Sequence, residues 1–311
     1  MSMDLINVNE MYFDKRVNLS PFFHYTSAEA LKSIIENSSI RFTHCAFLND
    51  TEEYLYIDEV MGEVVTEEKD PEVSSFIKKM QENLDKTYSG LILKPVDKDK
   101  KWLLPSLGEY YVLSGTSERD SLPMWNYYVK SGDYFGYAIS LDIRKLYKLI
   151  CPFLPVAGEF LCGKIVYDRE TQKSIIYDFT KKLLADYNKL DETERNDIMI
   201  DDLQNSFYDF IQRTRLFFKR EGFMHEKELR AVVLTNTEPK GTEFSKGYTI
   251  TKGIIKPYIE YSFSEETLPI KQVVLSPTIE EIIGKRGIEM LLREHNYVGV
   301  SVDKSELKLR Y

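Results

Sequence analysis

The stretch FFHYTSAEALKSIIENSSIRF, residues 22–42, decides what kind of fold the chain enters. Residues 22–25 read as a short strand. Thr26, followed three positions on by Glu29, is a capping box, and Leu31, Ile34 and Ile35 then recur at helical spacing. SIRFTH (39–44) returns as a strand. His24, one of four histidines in the chain, stands at the strand–helix junction. A titratable ring there costs burial energy unless it is satisfied or put to use. The stretch alone leaves both readings open.

Working outward, LNDTEEYLYIDEVMGEVVTEEKD (48–70) reads as an acidic-faced helix after an Asn-Asp turn, and EVSSFIKKMQENL (72–84) as a second amphipathic helix. KPVDKDKKW (94–102) is a charged loop. Strand-like YYVLSGTS, a turn at ERDSLP, a short helical MWNYYVKSG and strand-like YFGYAISLD follow. Residues 170–219 look mainly helical, with breaks near Asp191 and Asp201. KELRAVVLTN, GIIKPYIEYSF and IKQVVLSP are strands, and TIEEIIGKRGIEMLLREH is a helix opened by the threonine cap Thr278 after a proline. Strands and helices come in clumps rather than strict alternation. That predicts an α+β fold with a mostly antiparallel or mixed sheet, a single domain over 1–311, and a helical insert over 170–219.

The composition, 43% hydrophobic and 29% charged over 311 residues, is that of an ordinary soluble chain with an ample core. The net charge of −9 argues against a whole-molecule grip on nucleic acid, although a local basic groove remains compatible with it. Cys45, Cys151 and Cys162 form no CxxC pair and read as reduced thiols. The acidic N-terminus lacks the apolar region of a signal peptide, and no run approaches the roughly 18 apolar residues of a membrane span. The expected location is the cytoplasm.

Several chemistries drop out early. HEKEL (225–229) begins like a zinc-binding HExxH, but Leu229 stands where the second histidine must be. There is no GxGxxG, GxxxxGK[ST] or GxSxG, and GKRG (284–287) is too short to cradle phosphate. Four clusters remain: HYTS (24–27), LNDTEE (48–53), SGTSERDSLPMWNYY (114–128) and HEKELRAVVL (225–234). The second reads on its own as an Asx turn and helix cap, and the aromatics of the third as core. In the fourth, strand alternation points Glu226, Glu228 and Arg230 the same way. Such a trio is either a surface ladder or a working site in which the arginine holds the carboxylates ionised.

Taken together and in chain order, FHYTS, LND with EE, SLPMW with its two tyrosines, and HEKELR resemble a bacterial family catalogued as a domain of unknown function. Through it they resemble the His–Tyr–Glu plan of ADP-ribosyltransferases. The resemblance runs from about residue 22 to 235 and is patchy between motifs. It implies an ADP-ribosyltransferase-like split, bent, mixed or antiparallel sheet with flanking helices that clamps NAD in a cleft. His24 would donate a hydrogen bond to the adenosine-side ribose, with Thr26 beside it. The Tyr25 main chain would bind the nicotinamide carboxamide, a place where glycine is usual. Tyr128 would stack on nicotinamide, with Tyr127 or Trp125 as wall, Tyr127 being the alternative stacking ring. Ser114 and Ser117 would sit at the mouth. Glu228 would be the catalytic carboxylate, Glu226 would position the acceptor or tune it, and Arg230 completes the NAD-binding set.

The chemistry is coherent without the analogy. Cleaving the bond to a cationic nicotinamide creates an oxocarbenium-like sugar, which a preorganised carboxylate stabilises more than the ground state. No metal is required. For the acceptor, IQRTRLFFKREGF (211–223) interleaves Arg213, Arg215, Lys219 and Arg220 with Phe217 and Phe218. That suits a nucleic-acid strand, but the preferred reading is an amphipathic helix with a solvated basic face. The expected activity is transfer of ADP-ribose to a nucleic acid or protein, which suggests a bacterial toxin or phage-defence effector with a possible neutralising antitoxin. The rivals are an NAD glycohydrolase and a non-catalytic module that binds a nucleotide or partner.

Overall fold

The aromatic and β-branched run EYYVLSGT, Glu109–Thr116, becomes the strand around which the sheet is assembled. The computed structural model describes residues 21–48, 53, 56–67, 70–87, 92–93, 102–103, 109–128, 135–155, 158–189, 197–235, 241, 243–251 and 253–308. In chain order the elements are β1 (Phe23–Ser27), α1 (Ala28–Glu36), β2 (Ser39–His44), α2 (Tyr56–Thr66), α3 (Pro71–Thr87), β3 (Ile92–Leu93), β4 (Trp102–Leu103), β5 (Glu109–Thr116), α4 (Leu122–Tyr128) and β6 (Gly136–Leu141). Then come α5 (Ile143–Ile150), β7 (Glu159–Lys164), α6 (Arg169–Lys189), α7 (Asp197–Thr214), β8 (Glu228–Thr235), β9 (Phe244–Thr251), β10 (Ile254–Ser262), β11 (Ile270–Leu275), α8 (Glu281–Glu294) and β12 (Ser301–Lys304). The fold class is α+β.

The chain divides into two compact units. One holds the described residues of 49–108 and 165–223 and is mainly helical. There α2 and α3, from before the sheet strands β5–β8, pack with α6 and α7, the helices expected as an insert. Buried Val60, Ile77, Ile176 and Phe207 form part of this interior, and Phe179 stacks on Phe210 with ring centroids 3.7 Å apart. Helix α7 runs unbroken through Asp201, contrary to expectation, because Leu203, Phe207, Phe210 and Ile211 recur on a buried face. Asp191 and residues 94–101 of the charged loop lie outside the described residues.

The other unit, from the described residues of 13–48, 109–164 and 224–311, carries the large mixed, open sheet. Its order is β12-β11-β6-β1-β5-β2-β10-β9, with β8 on β5 and β7 on β8. Neighbours are antiparallel except β11 and β12. Strand β8 pairs with β5 along its whole length, from Glu109↔Thr235 to Thr116↔Glu228. A strand has two edges, so β1 and β2 must share the other one. β1 takes it at Phe23↔Thr116, and β2 at Thr43↔Val112 and His44↔Tyr111. The sheet therefore forks along β5, between Val112 and Thr116.

One face of this sheet is covered by α1, α5 and α8, whose Leu31, Ile35, Leu146 and Leu292 pack on Leu113, Ile139, Leu229 and Val273. The opposite face holds Phe23, Tyr25, Ala138 and Val274 beneath Met124 and Trp125 of α4. A nine-residue helix such as α1 is too short to persist alone, and burial of Leu31 and Ile35, worth about 1.5–3 kcal/mol each, holds it. Its cap is Ser27, whose Oγ accepts from the Ala30 N–H at 3.2 Å, not Thr26. The β1–β6 ladder continues through Thr26↔Tyr137 and Ser27↔Gly136, so Thr26 stays in the strand and the capping box is absent. Helix α8 is likewise capped by Glu280 rather than Thr278. β9, which ends the sheet, was not expected, since Lys246 and Gly247 weaken its strand pattern.

Gly115 sits where a Cβ would lie 2.4 Å from the Phe22 ring. Gly115→Ala is expected to destabilise the protein by about 1–3 kcal/mol through overpacking, seen as a lower denaturation midpoint with unchanged slope.

Candidate functional site

The Glu-x-Glu of the sequence is not one continuous strand. Glu226 closes a 3-10 turn over Glu221–Glu226, Lys227 has φ +44°, and β8 begins only at Glu228. The left-handed residue breaks the alternation, so Glu226 does not share the face of Glu228 by strand period. Glu228 and Arg230 do. Arg230 Nε donates to Glu228 Oε1 at 2.7 Å and Nη2 to Oε2 at 3.1 Å, a two-pronged pair. The pair is enclosed: Glu228 is 4% exposed and Arg230 1%. Glu226 is buried as well, and its main-chain carbonyl accepts from the Thr116 hydroxyl at 2.7 Å. Ser117, expected at the mouth, donates its N–H to the Lys227 carbonyl at 3.3 Å.

The ladder connects this pair to β1. Ser114 lies opposite Arg230, and Thr116 opposite Glu228. The Ser114 carbonyl accepts from His24 Nδ1 at 2.9 Å, at the point where β1 leaves β5. A carbonyl only accepts, so Nδ1 carries the proton. Burial lowers the His24 pKa, against the opposing pull of the Ser114 carbonyl. The ring is therefore neutral at pH 7 and its Nε2 is an acceptor. This corrects the expectation that His24 donates to a ribose.

A second correction concerns direction. Phe23, Thr116 and Glu228 are register partners and share a face. His24 alternates with Phe23 and has the core residue Ile139 as its own partner, so it leaves β1 on the opposite face from Glu228. His24 and Glu228 are linked through Ser114 in the plane of the sheet, not by lining a common face.

Tyr25 fares differently. Leu141 N donates to Phe22 O at 2.9 Å, which makes that pair the hydrogen-bonded kind. Such pairs alternate in an antiparallel ladder, so the main chains of His24 and Thr26 face β6, while the Tyr25 N–H and C=O point to the other edge. Beyond Phe23↔Thr116 that edge is no longer paired with β5, and Tyr25 as a whole is 4% exposed. The Tyr25 side chain points elsewhere. Its hydroxyl donates to the Glu118 carbonyl and accepts from the Ser121 N–H, both at 3.0 Å, and its ring meets Trp125 edge-on at 4.6 Å. Burial pushes its pKa well above the usual phenol value.

Trp125 has no exposure and so offers no wall to a ligand, and its Nε1 donates to Asp120 at 2.7 Å. Tyr127 is exposed and lies 5.8 Å from the His225 ring. Tyr128 ends α4, and its side chain lies outside the described residues, as do Asn49 and Asp50 of the LND motif. The basic residues proposed for an acceptor belong to the helical unit. There Arg215 and Lys219 are buried, within 4.0 Å of Asp58 and 3.8 Å of Glu53, and Arg220 pairs with Glu59 at 2.8 Å. Arg213 is half-buried. These cations are not laid out as a solvent-facing basic stripe.

Among the described residues no three His, Cys, Asp or Glu side chains cluster as metal ligands, and no helix is long and apolar enough to cross a membrane. A cavity of about 730 Å³ lined by Lys145, Lys148, Leu268 and Tyr297 contains none of the expected site residues. Sequence reading missed Asp120 and Thr116, whose partners are far along the chain.

The His24 environment carries a pH prediction. Its folded pKa lies below the ordinary 6.5, so the unfolded chain binds more protons, and stability is expected to fall as pH drops below about 6.5. His44, lowered by its own burial, contributes in the same sense. Unfolding free energies from pH 7.5 to 5 should therefore fall less steeply in His24→Asn than in wild type, and parallel profiles would refute the assignment.

Comparison with known proteins adds a family model, described as a protein of unknown function (DUF2971), that matches residues 124–231. The matched span runs from α4 into β8 and includes Glu226, Glu228 and Arg230. No curated protein and no solved structure matches the chain.

Proposed function

We propose that this chain cleaves the bond between nicotinamide and ribose in NAD and transfers the ADP-ribose to a nucleic acid or protein, in the manner of the ADP-ribosyltransferases it resembles. Nicotinamide leaves with the bonding electron pair. The acceptor nucleophile bonds the anomeric carbon and gives up its proton, and Glu228 faces the charge that develops on the sugar. The observation that carries this reading is the fork. Tyr25 turns a main-chain donor and acceptor to a strand edge that β5 has left, the complement of a carboxamide, and β5 and its neighbour β8 bear Ser114 and the Glu228–Arg230 pair. In this reading His24 caps the Ser114 carbonyl and offers Nε2 as an acceptor, with no role on the Glu228 face.

The near-complete enclosure of Glu228 and Arg230 favours a second reading, in which the pair is a strut and the protein only binds a nucleotide or partner. Incubating the full chain with NAD labelled in the nicotinamide and, separately, in the adenylate, with and without cell lysate, decides between them. Nicotinamide release with label on a macromolecule supports transfer, and release with free ADP-ribose means that water is the acceptor. No release under either condition leaves the strut.

A further inference from the structure

Between β5 and α4 the turn Ser117–Ser121 is tied to four places at once. Asp120 Oδ1 accepts from Trp125 Nε1 and from Ser305 Oγ, each at 2.7 Å, and Oδ2 accepts from the Glu306 N–H at 2.7 Å. Ser305 Oγ in turn accepts from Leu307 N at 3.1 Å, and Leu307 packs on the cluster of Phe23, Tyr25 and Trp125. On its inner side the turn holds the Tyr25 hydroxyl between Glu118 O and Ser121 N. At its start, Ser117 N bonds the carbonyl of Lys227, the residue before Glu228.

We propose that Asp120 is a positioning residue, which clasps the chain segment Ser305–Leu307 to this turn and thereby sets the Tyr25 main chain at the fork and Lys227 at the head of β8. The proposal deepens the reading above, and only its kinetic arm rests on that reading. The alternatives for holding the turn are weak. Lys227–Glu118 and Arg119–Glu306 are ion pairs with substantial exposure, and such pairs contribute little. Beyond Phe23 the ladder holds β1 on its β6 side alone, and on the other side the Tyr25 hydroxyl holds it to the turn and the His24 ring to Ser114. A loosened turn moves the strand edge, and with it the main-chain donor and acceptor that would hold the carboxamide, which weakens binding of NAD.

Two variants approach the clasp from opposite sides. Asp120→Asn keeps an acceptor for Trp125 but cannot serve every donor of the tail. Ser305→Ala/Glu306→Pro removes the tail's hydroxyl and N–H while leaving Asp120 and Trp125 untouched. In both, amide hydrogen exchange of 117–121 and Thr26 is expected to rise about tenfold, with Ala231 to Val233 in the core of β8 unchanged. The KM for NAD should rise about tenfold with kcat little altered, the signature of lost ground-state positioning. Unchanged exchange in the turn, or an increase spread evenly over the sheet, overturns the proposal. If wild type releases no nicotinamide, the functional reading falls while the exchange pattern still decides the clasp.

Discussion

Glu228→Gln is expected to lower nicotinamide release by about a hundred- to thousandfold, or ~3–4 kcal/mol of transition-state stabilisation. The carboxylate would face a sugar that gains positive charge only as the bond breaks, so its effect belongs to kcat more than to KM. Glutamine keeps the shape and one acceptor for Arg230, yet its amide nitrogen opposes a guanidinium donor, so folding must be followed alongside activity. Glu228→Asp supplies the control. It retains a charge for Arg230 and withdraws the carboxylate by one methylene. Release that collapses in both variants, at a temperature where both are folded, assigns the reaction to the placement of this group. Release that survives in either would remove Glu228 from the chemistry.

Arg230→Met is expected to destabilise the sheet unit strongly. Removing the guanidinium takes its two-pronged partner from a buried carboxylate, and breaking such an enclosed pair costs about 3–5 kcal/mol. That is a large part of the ~5–15 kcal/mol by which domains are stable. Because the penalty lies in a buried carboxylate that has lost its guanidinium, the double variant Glu228→Leu/Arg230→Met is expected to be more stable than Arg230→Met alone. Denaturant midpoints of the wild type, both single variants and the double close the cycle. A loss below about 1 kcal/mol in Arg230→Met would mean that water reaches the pair, in keeping with an open site rather than a strut.

Local pattern made much of the fold legible. The strand, helix and strand of residues 22–44 follow from apolar spacing, and the clumped order of elements indicated an α+β sheet. The misreadings have a common physical origin. A cap one residue later, at Ser27, depends on how far the β6 ladder carries β1, which the local sequence does not reveal. The separation of Glu226 from Glu228 turns on one left-handed residue, Lys227, of a type that rarely adopts that conformation. The cations at 213–220 read as a solvated stripe because Glu53, Asp58 and Glu59, which lie against three of them, are more than 150 positions away in the chain. Asp120 looked like an ordinary turn residue for the same reason, its tail partners lying 185 and 186 positions on.

The forked strand also dictates an order of assembly. β5 takes its partners from residue 23, from residues 43–44 and from residues 228–235, so nearly all its pairing is non-local. A sheet of such high contact order folds slowly, since long loops must close before the pairing rewards them. During synthesis at ~5–20 residues per second, Thr235 follows Thr116 by about 6–24 s. For that interval β5 has emerged with its longest ladder still missing, and a nascent chain stalled before residue 228 presents the unpaired β8 edge of an apolar strand to chaperones and to other chains. Ribosome-bound fragments ending before and after β8 should therefore differ sharply in resistance to protease.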